Sequence, residues 1–271
     1  MYVTKALGNK EKFDKRKIER TCLKAGASKQ LARDVSNRVE KIVYQGMTTK
    51  EILKITLKLL KDKPEVASRY DLKRAIMNLG PSGFPFEKFF AAILKNDGYE
   101  TKVGVTMIGK ATTHEVDIIA KKDKNYMVEC KYHNKLGIHT NSKVAMYTYA
   151  RFLDLKNNPE NKIDLGWLVT NTKCTNHAIQ YAKGVGLKIT SWQYASGKDK
   201  NLQELIELKR LYPITVLKSV KGGIKERLSQ ADIILARNLI DISLKELKIK
   251  TKLPEGILNR IIKEAREVCA C

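Results

Sequence analysis

Asp117, Glu129 and Lys131 stand in two short apolar-rich runs, Thr113-His114-Glu115-Val116-Asp117-Ile118-Ile119 and Met127-Val128-Glu129-Cys130-Lys131. A polar break from Lys121 to Asn125 separates the runs, and their valines, isoleucines and alternation predict two strands of a hairpin. Residues two apart on a strand share a face, so Glu129 aligns with Lys131, and Glu115 with Asp117. Pairing the strands gathers up to three carboxylates and one ammonium at one spot. Carboxylates so placed repel one another unless a divalent cation sits among them, and hard oxygen ligands with room for water suit Mg²⁺. A lysine beside that ion can orient a water or steady charge on a phosphate. The same charges also fit a solvated surface hairpin, which a chain with 30% charged residues supplies by chance.

The flanking sequence predicts the elements that position these groups. Phe84-Pro85-Phe86-Glu87-Lys88-Phe89-Phe90-Ala91-Ala92-Ile93-Leu94 is an amphipathic helix that stops near Asn96-Asp97-Gly98. Tyr99 to Val105 predicts a strand before the hairpin. After it come a helix from about Ser142 to Leu155 and a buried strand, Leu165 to Thr170. A helix from Asn176 to Lys183 and a short strand, Leu187 to Thr190, follow. The order is αβββαβ with a trailing αβ.

This pattern resembles the PD-(D/E)xK nuclease superfamily, in particular its Mrr-like restriction-endonuclease branch. The resemblance spans roughly Gly80 to Leu217 and rests on Asp117, Glu129-x-Lys131 and Glu87 in the preceding helix, supported by Val169-Thr170-Asn171 and Ala178-Ile179-Gln180-Tyr181-Ala182. It implies a cation held by Asp117, Glu129 and the carbonyl of Cys130, with Lys131 positioning water or holding developing charge. Glu87 is expected to bind a second cation or the attacking water, and Glu115 is the alternative carboxylate. His114 and His133 flank the site as candidate DNA contacts.

Charge agrees with a polyanionic partner. The chain has 271 residues and a net charge of +23, with base in excess in each part. Such an excess favours phosphate-rich partners, since neutralising phosphates releases counterions. The five cysteines (22, 130, 174, 269 and 271) form no CxxC pair, which argues against a disulfide framework or zinc site. No apolar run approaches the roughly 18 residues of a membrane helix, and Met1-Tyr2-Val3-Thr4-Lys5 is not a signal peptide. A cytoplasmic protein is expected.

Residues 1–79 begin with a strand-like piece and continue as helices. Ile18, Cys22, Leu23 and Ala25 mark one helical face, and Leu31, Val35, Val39, Ile42 and Val43 the next. Thr48-Thr49-Lys50-Glu51 predicts a capping box, and a last helix is expected over Pro64 to Asn78. Val3-x-Lys5-x-x-Gly8, Glu11-x-Phe13-Asp14-x-x-Lys17-Ile18 and Val66-Ala67-Ser68-Arg69-Tyr70 resemble the ATP-cone domain, a regulatory nucleotide-binding module. The resemblance implies that Lys5, Glu11, Lys17 and Thr49 line a site for ATP or dATP. The chain departs from the pattern at Ala6-Leu7, where Arg-Asp is usual, and at Leu53. Gly104 to Lys110 matches a P-loop except that Ala111 replaces the hydroxyl residue that would bind Mg²⁺, and its surroundings predict a hairpin instead.

A break at Tyr212-Pro213 and Lys218 to Gly223 precedes a last helical unit, with apolar residues from Leu228 to Ile262 at helical spacing. It resembles a helix-hairpin-helix unit, although Lys252-Leu253-Pro254-Glu255-Gly256 puts a proline and an acid where DNA-binding amides would lie. A packing or oligomerisation domain fits equally.

The expectation is an α/β (α+β) chain in three parts: a small helical cone (1–79), a restriction-endonuclease-like core (80–217) and a short helical domain (218–271). Its expected function is nucleotide-regulated cleavage of DNA with Mg²⁺ or Mn²⁺, by a homo-oligomer without membrane attachment. The competing readings are a non-catalytic nucleotide-sensing DNA-binding regulator and a Holliday-junction-resolvase-like nuclease.

Overall fold

The computed structural model describes residues 1–80 and 83–270, in two compact units: Met1–Ile76 together with the chain from Tyr212 onward, and Met77–Leu211. Cys271, the last cysteine of the sequence, lies outside the described residues.

The first unit opens with an antiparallel hairpin, β1 (Tyr2–Thr4) and β2 (Lys10–Lys12). Its turn closes through Lys5 N–H to Asn9 O (2.8 Å), and Gly8 takes φ +85°, a conformation an L side chain rarely adopts. Asp14 caps α1 (Lys15–Lys24) and Ser28 caps α2 (Lys29–Ile42). The expected capping box forms: Thr48 and Glu51 satisfy each other's backbone donors at the start of α3 (Thr49–Leu59). The final helix of the cone is not continuous. α4 (Pro64–Tyr70) ends at Asp71, whose carboxylate pairs with Arg74 (2.6 Å) in α5 (Leu72–Met77). Ile18, Cys22, Val35, Val39, Ile52, Leu60 and Val66 fill the core, while Ile42, assigned to a buried face by periodicity, is 49% exposed at its helix end.

The second unit contains α6 (Phe84–Asn96), β3 (Glu100–Ile108), β4 (Thr113–Lys121), β5 (Asn125–Lys131), β6 (His139–Thr140), α7 (Ser142–Lys156), β7 (Leu165–Thr170), β8 (Lys173–Cys174), α8 (Asn176–Val185), β9 (Lys188–Thr190) and α9 (Leu202–Lys209). The main sheet runs β3-β4-β5-β7-β9, with β3, β4 and β5 antiparallel and β7 and β9 parallel to β5. Helices cover both faces. Trp167 of β7 meets Phe90 of α6 edge-on at 5.6 Å, while its neighbour Leu168 packs with Ala178 and Ala182 of α8. Met127 of β5 packs with Phe152 and Leu155 of α7. The predicted αβββαβ order and its trailing αβ are all present. The P-loop-like glycines fall in β3 and the β3–β4 turn, as a hairpin requires. The two-residue pair β6–β8 had no signal in the sequence, because ladders that short carry no periodicity.

In the first unit, α10 (Gly222–Gln230), α11 (Asn238–Asp241), α12 (Leu244–Thr251) and α13 (Glu255–Cys269) form the C-terminal helices. They pack with the cone. Arg69 of α4 donates to the carbonyls of Val268 (2.9 Å), Glu267 (3.3 Å) and Ala270 (2.8 Å), acceptors that a helix end leaves open. Thr215 Oγ1 donates to the Ala75 carbonyl (2.7 Å). Lys252, at φ +54°, closes α12, and Glu255 lies in the first turn of α13, where the helix dipole favours an acid.

Candidate active site

The β4–β5 ladder runs from Lys121↔Asn125 to Ile118↔Val128 and stops there. Continuing its register puts Asp117 opposite Glu129, at the mouth of a fork where the two strands are no longer laddered. Two side chains bridge the fork. Asp117 Oδ2 accepts the backbone N–H of Cys130 at 2.6 Å. From α7, the Arg151 guanidinium donates through one amino group to Glu129 Oε2 and through the other to the backbone carbonyl of Glu115. Among the described residues, Asp117 Oδ1 and Glu129 Oε1 accept no hydrogen bond. Each carboxylate is thus anchored by one oxygen, with the other left over.

Electrostatics identify the fork as short of positive charge. Burial and then the neighbouring Asp117 push Glu129 up to about 7, against the opposing pull of Arg151 and Lys131. Glu87, on the first turns of α6, is also pushed up to about 7, by burial and then by Asp117, Glu115 and Glu129. Asp117 is raised by burial as well, although the Cys130 N–H and Arg151 work the other way. Glu115 is exposed and close enough to add to the field at Glu87 and Asp117. Lys131 ends β5 with its side chain exposed and without an ion pair among the described residues, within electrostatic reach of Asp117 and Glu129. The Cys130 thiol is buried and raised well above the usual range by that burial, so it contributes no nucleophile.

No three His, Cys, Asp or Glu side chains among the described residues form a closed cation cage. Mg²⁺ does not need one, since it keeps several waters and is commonly held by one or two carboxylates. The two spare carboxylate oxygens, hard donors in a fork that repels further negative charge, fit that ion.

The flanking histidines have structural partners. His114 Nε2 bonds Asp154 Oδ2 (2.8 Å), whose carboxylate also accepts from Ala111 N–H (2.8 Å) and Thr112 N–H (3.3 Å) in the β3–β4 turn. His133 is clamped at both backbone groups by the side chain of Asn171, N–H to Oδ1 (2.9 Å) and Nδ2 to O (2.8 Å). Its ring meets Thr140 (3.2 Å), which bonds Thr170 (2.9 Å), and burial lowers the affinity of His133 for a proton. Asn171 extends the β5–β7 pairing past Lys131 and fixes the chain leaving the site.

Arg151 and Asp154 escaped the reading of the sequence, and Asn171 entered it only as part of the Val169-Thr170-Asn171 phrase. One signal for Arg151 was present: it falls in phase with Ala145, Thr148, Phe152 and Leu155, the buried stripe of α7, where a charge requires a partner.

In the cone, the β1–β2 hairpin and α1 bring three expected residues together: Glu11 pairs with both Lys5 and Lys17. Thr49 lies one residue past the parallel bridge Thr4↔Thr48, which sets the start of α3 beside β1.

The ATP cone domain matches residues 1–77, and the restriction endonuclease family Mrr_cat matches residues 80–196, including the whole fork. The chain carries an ATP cone followed by an Mrr-like restriction-endonuclease domain. Residues 212–269 match a third family, AF1548-like, C-terminal. An uncharacterized protein of Archaeoglobus fulgidus is 36% identical over 179 residues, which is 66% of this chain and 98% of that protein. The crystal structure of AF1548, a protein of unknown function, superposes with a TM-score of 0.61 at 33% identity, covering 69% of this chain and 98% of that one. No helix among the described residues is long and apolar enough to cross a membrane.

Proposed function

We propose that this protein is a nucleotide-controlled endonuclease that hydrolyses DNA phosphodiester bonds with Mg²⁺ or Mn²⁺, acting in the cytoplasm as a homo-oligomer. One observation carries the reading: among the described residues, Asp117 and Glu129 each keep an unbonded oxygen in a half-buried fork, beside the ammonium of Lys131, which has no ion pair there. A divalent ion held by these oxygens and the Cys130 carbonyl would polarise the scissile phosphate and acidify water. The chain supplies the rest. Lys131 is the group to orient the attacking water and to hold charge as it develops on the phosphate. Glu87, poised near 7, is the nearby carboxylate to hold a proton or a further ion. The net charge of +23 favours a nucleic-acid substrate, and the restriction-endonuclease family favours DNA over RNA.

The cone is the control element in this reading. Lys5 and Lys17 now share Glu11, and triphosphate oxygens would compete with that carboxylate for the two ammoniums. Glu11 and Thr49 would then be free to bond base or sugar of ATP or dATP. The test is incubation of the full chain with supercoiled plasmid and Mg²⁺, with and without ATP or dATP. Metal-dependent nicking is expected, and intact plasmid under all conditions overturns the nuclease reading.

A further inference from the structure

Arg151 has an arrangement that charge neutralisation alone does not require. Its side chain is 10% exposed, and its two amino groups reach different strands: one the Glu129 carboxylate on β5, the other the Glu115 carbonyl on β4. The Tyr147 ring lies 5.3 Å from the guanidinium carbon and covers it. Backbone pairing between β4 and β5 ends at Ile118↔Val128, so Arg151 bridges the strands where the ladder no longer does. Its own helix is fixed to the sheet nearby. Asp154, three residues along α7 and on the same face, holds the β3–β4 turn through Ala111 and Thr112.

We propose that Arg151 is the positioning residue of the cation site. Its planar fork of donors holds one oxygen of Glu129 and the β4 backbone two residues from Asp117, so the remaining oxygen of Glu129 is presented at a fixed place. The proposal rests on the reading of the fork as a divalent-cation site. A lysine would not substitute, because one ammonium on a flexible stem cannot span both acceptors in a planar geometry. Partners that hydrogen-bond a metal-ligating carboxylate typically change metal affinity by about 10–100-fold. Arg151 also repels an incoming cation, so the lower end of that range is expected.

The test is Mn²⁺ binding to the full chain by calorimetry, with thermal melting of each variant measured in parallel. Arg151→Ala is expected to bind Mn²⁺ about tenfold more weakly, and millimolar guanidinium should restore affinity by occupying the vacated space. Arg151→Lys keeps the charge and is the second variant should Arg151→Ala fail to fold; having lost the planar geometry, it should also bind Mn²⁺ more weakly than wild type. A folded Arg151→Ala or Arg151→Lys protein that binds Mn²⁺ as tightly as wild type, or more tightly, overturns the proposal while leaving the cation site standing. Absence of Mn²⁺ binding to the wild-type chain removes the cation site itself, and the role of Arg151 with it.

Discussion

The fork of the nuclease unit and the cluster of the cone use the same residue types in opposite proportion. In the cone one carboxylate, Glu11, is shared by two lysines that are each about half exposed. In the fork, Asp117, Glu129 and Glu87 are partly buried, and Arg151 and Lys131 leave two of them raised to about 7. Excess ammonium at the surface suits an anion that exchanges readily with water. Excess carboxylate under partial burial suits a cation, because desolvation makes each uncompensated negative charge costly. The sign of the local excess, together with the degree of burial, is what gives each site a different ligand in the proposed function.

The largest effect that separates the two sites is expected from Asp117→Ala. Losing one of two carboxylates should reduce metal-dependent nicking by about 10³-fold, while DNA retention in a mobility-shift assay persists. Without metal, DNA retention should even tighten, since a negative charge near phosphate is gone. A clean Asp117→Ala preparation that nicks at the wild-type rate places the chemistry elsewhere. In the cone the equivalent change is milder. Lys17→Ala should weaken ATP or dATP binding by roughly tenfold to a hundredfold, the usual worth of a charged hydrogen bond. Calorimetry on the full chain checks this, and unchanged affinity would remove Lys17 from the nucleotide site.

Acidity should affect the fork specifically. Glu87 and Glu129 have folded values of about 7 against an ordinary 4.5, so the metal-free fold binds more protons than the unfolded chain in that window. Their contribution to stability is therefore present at low pH and lost as pH rises from about 4.5 through 7. Mg²⁺ relieves the repulsion only once the carboxylates ionise. Saturating Mg²⁺ should raise Tm by roughly 5–10 °C at pH 8 and by little at pH 5.5. A Mg²⁺ effect independent of pH contradicts the assignment of these two groups.

The smallest expected effect joins the sites. ATP or dATP should change the nicking rate by about fivefold, the lower end of ordinary coupling energies, together with sedimentation behaviour. Nucleotide shifts an equilibrium only if it binds one arrangement of the chain better than another. Lys17→Ala should abolish both responses, and nicking that ignores a bound nucleotide would show the two units to be uncoupled.

How far the sequence revealed these sites depends on how local each one is. β4 and β5 were legible because alternation and a polar break mark a hairpin, and continuing the register of that hairpin puts Asp117 opposite Glu129. The capping box at Thr48 and Glu51 is a four-residue signal and formed as read. Arg151 was not recognised because its partners, Glu129 and the Glu115 carbonyl, lie 22 and 36 residues away on strands whose placement against α7 no local pattern encodes. The same holds for the clamp of His133 by Asn171, 38 residues apart. The histidines beside the fork have partners within the protein, His114 in Asp154 and His133 in Thr140 and the Asn171 side chain, none of them local in sequence to the hairpin strands. The last cone helix breaks at Asp71, between Tyr70 and Leu72, a local interruption that apolar periodicity cannot register.

Anomalous diffraction from crystals of the wild-type chain grown with Mn²⁺ and without nucleotide tests the central claim most directly. A cation peak coordinated by Asp117 Oδ1, Glu129 Oε1 and the Cys130 carbonyl is the predicted result. Saturating Mn²⁺ that leaves the fork empty, with the Glu129 carboxylate still shared only with Arg151, would contradict it.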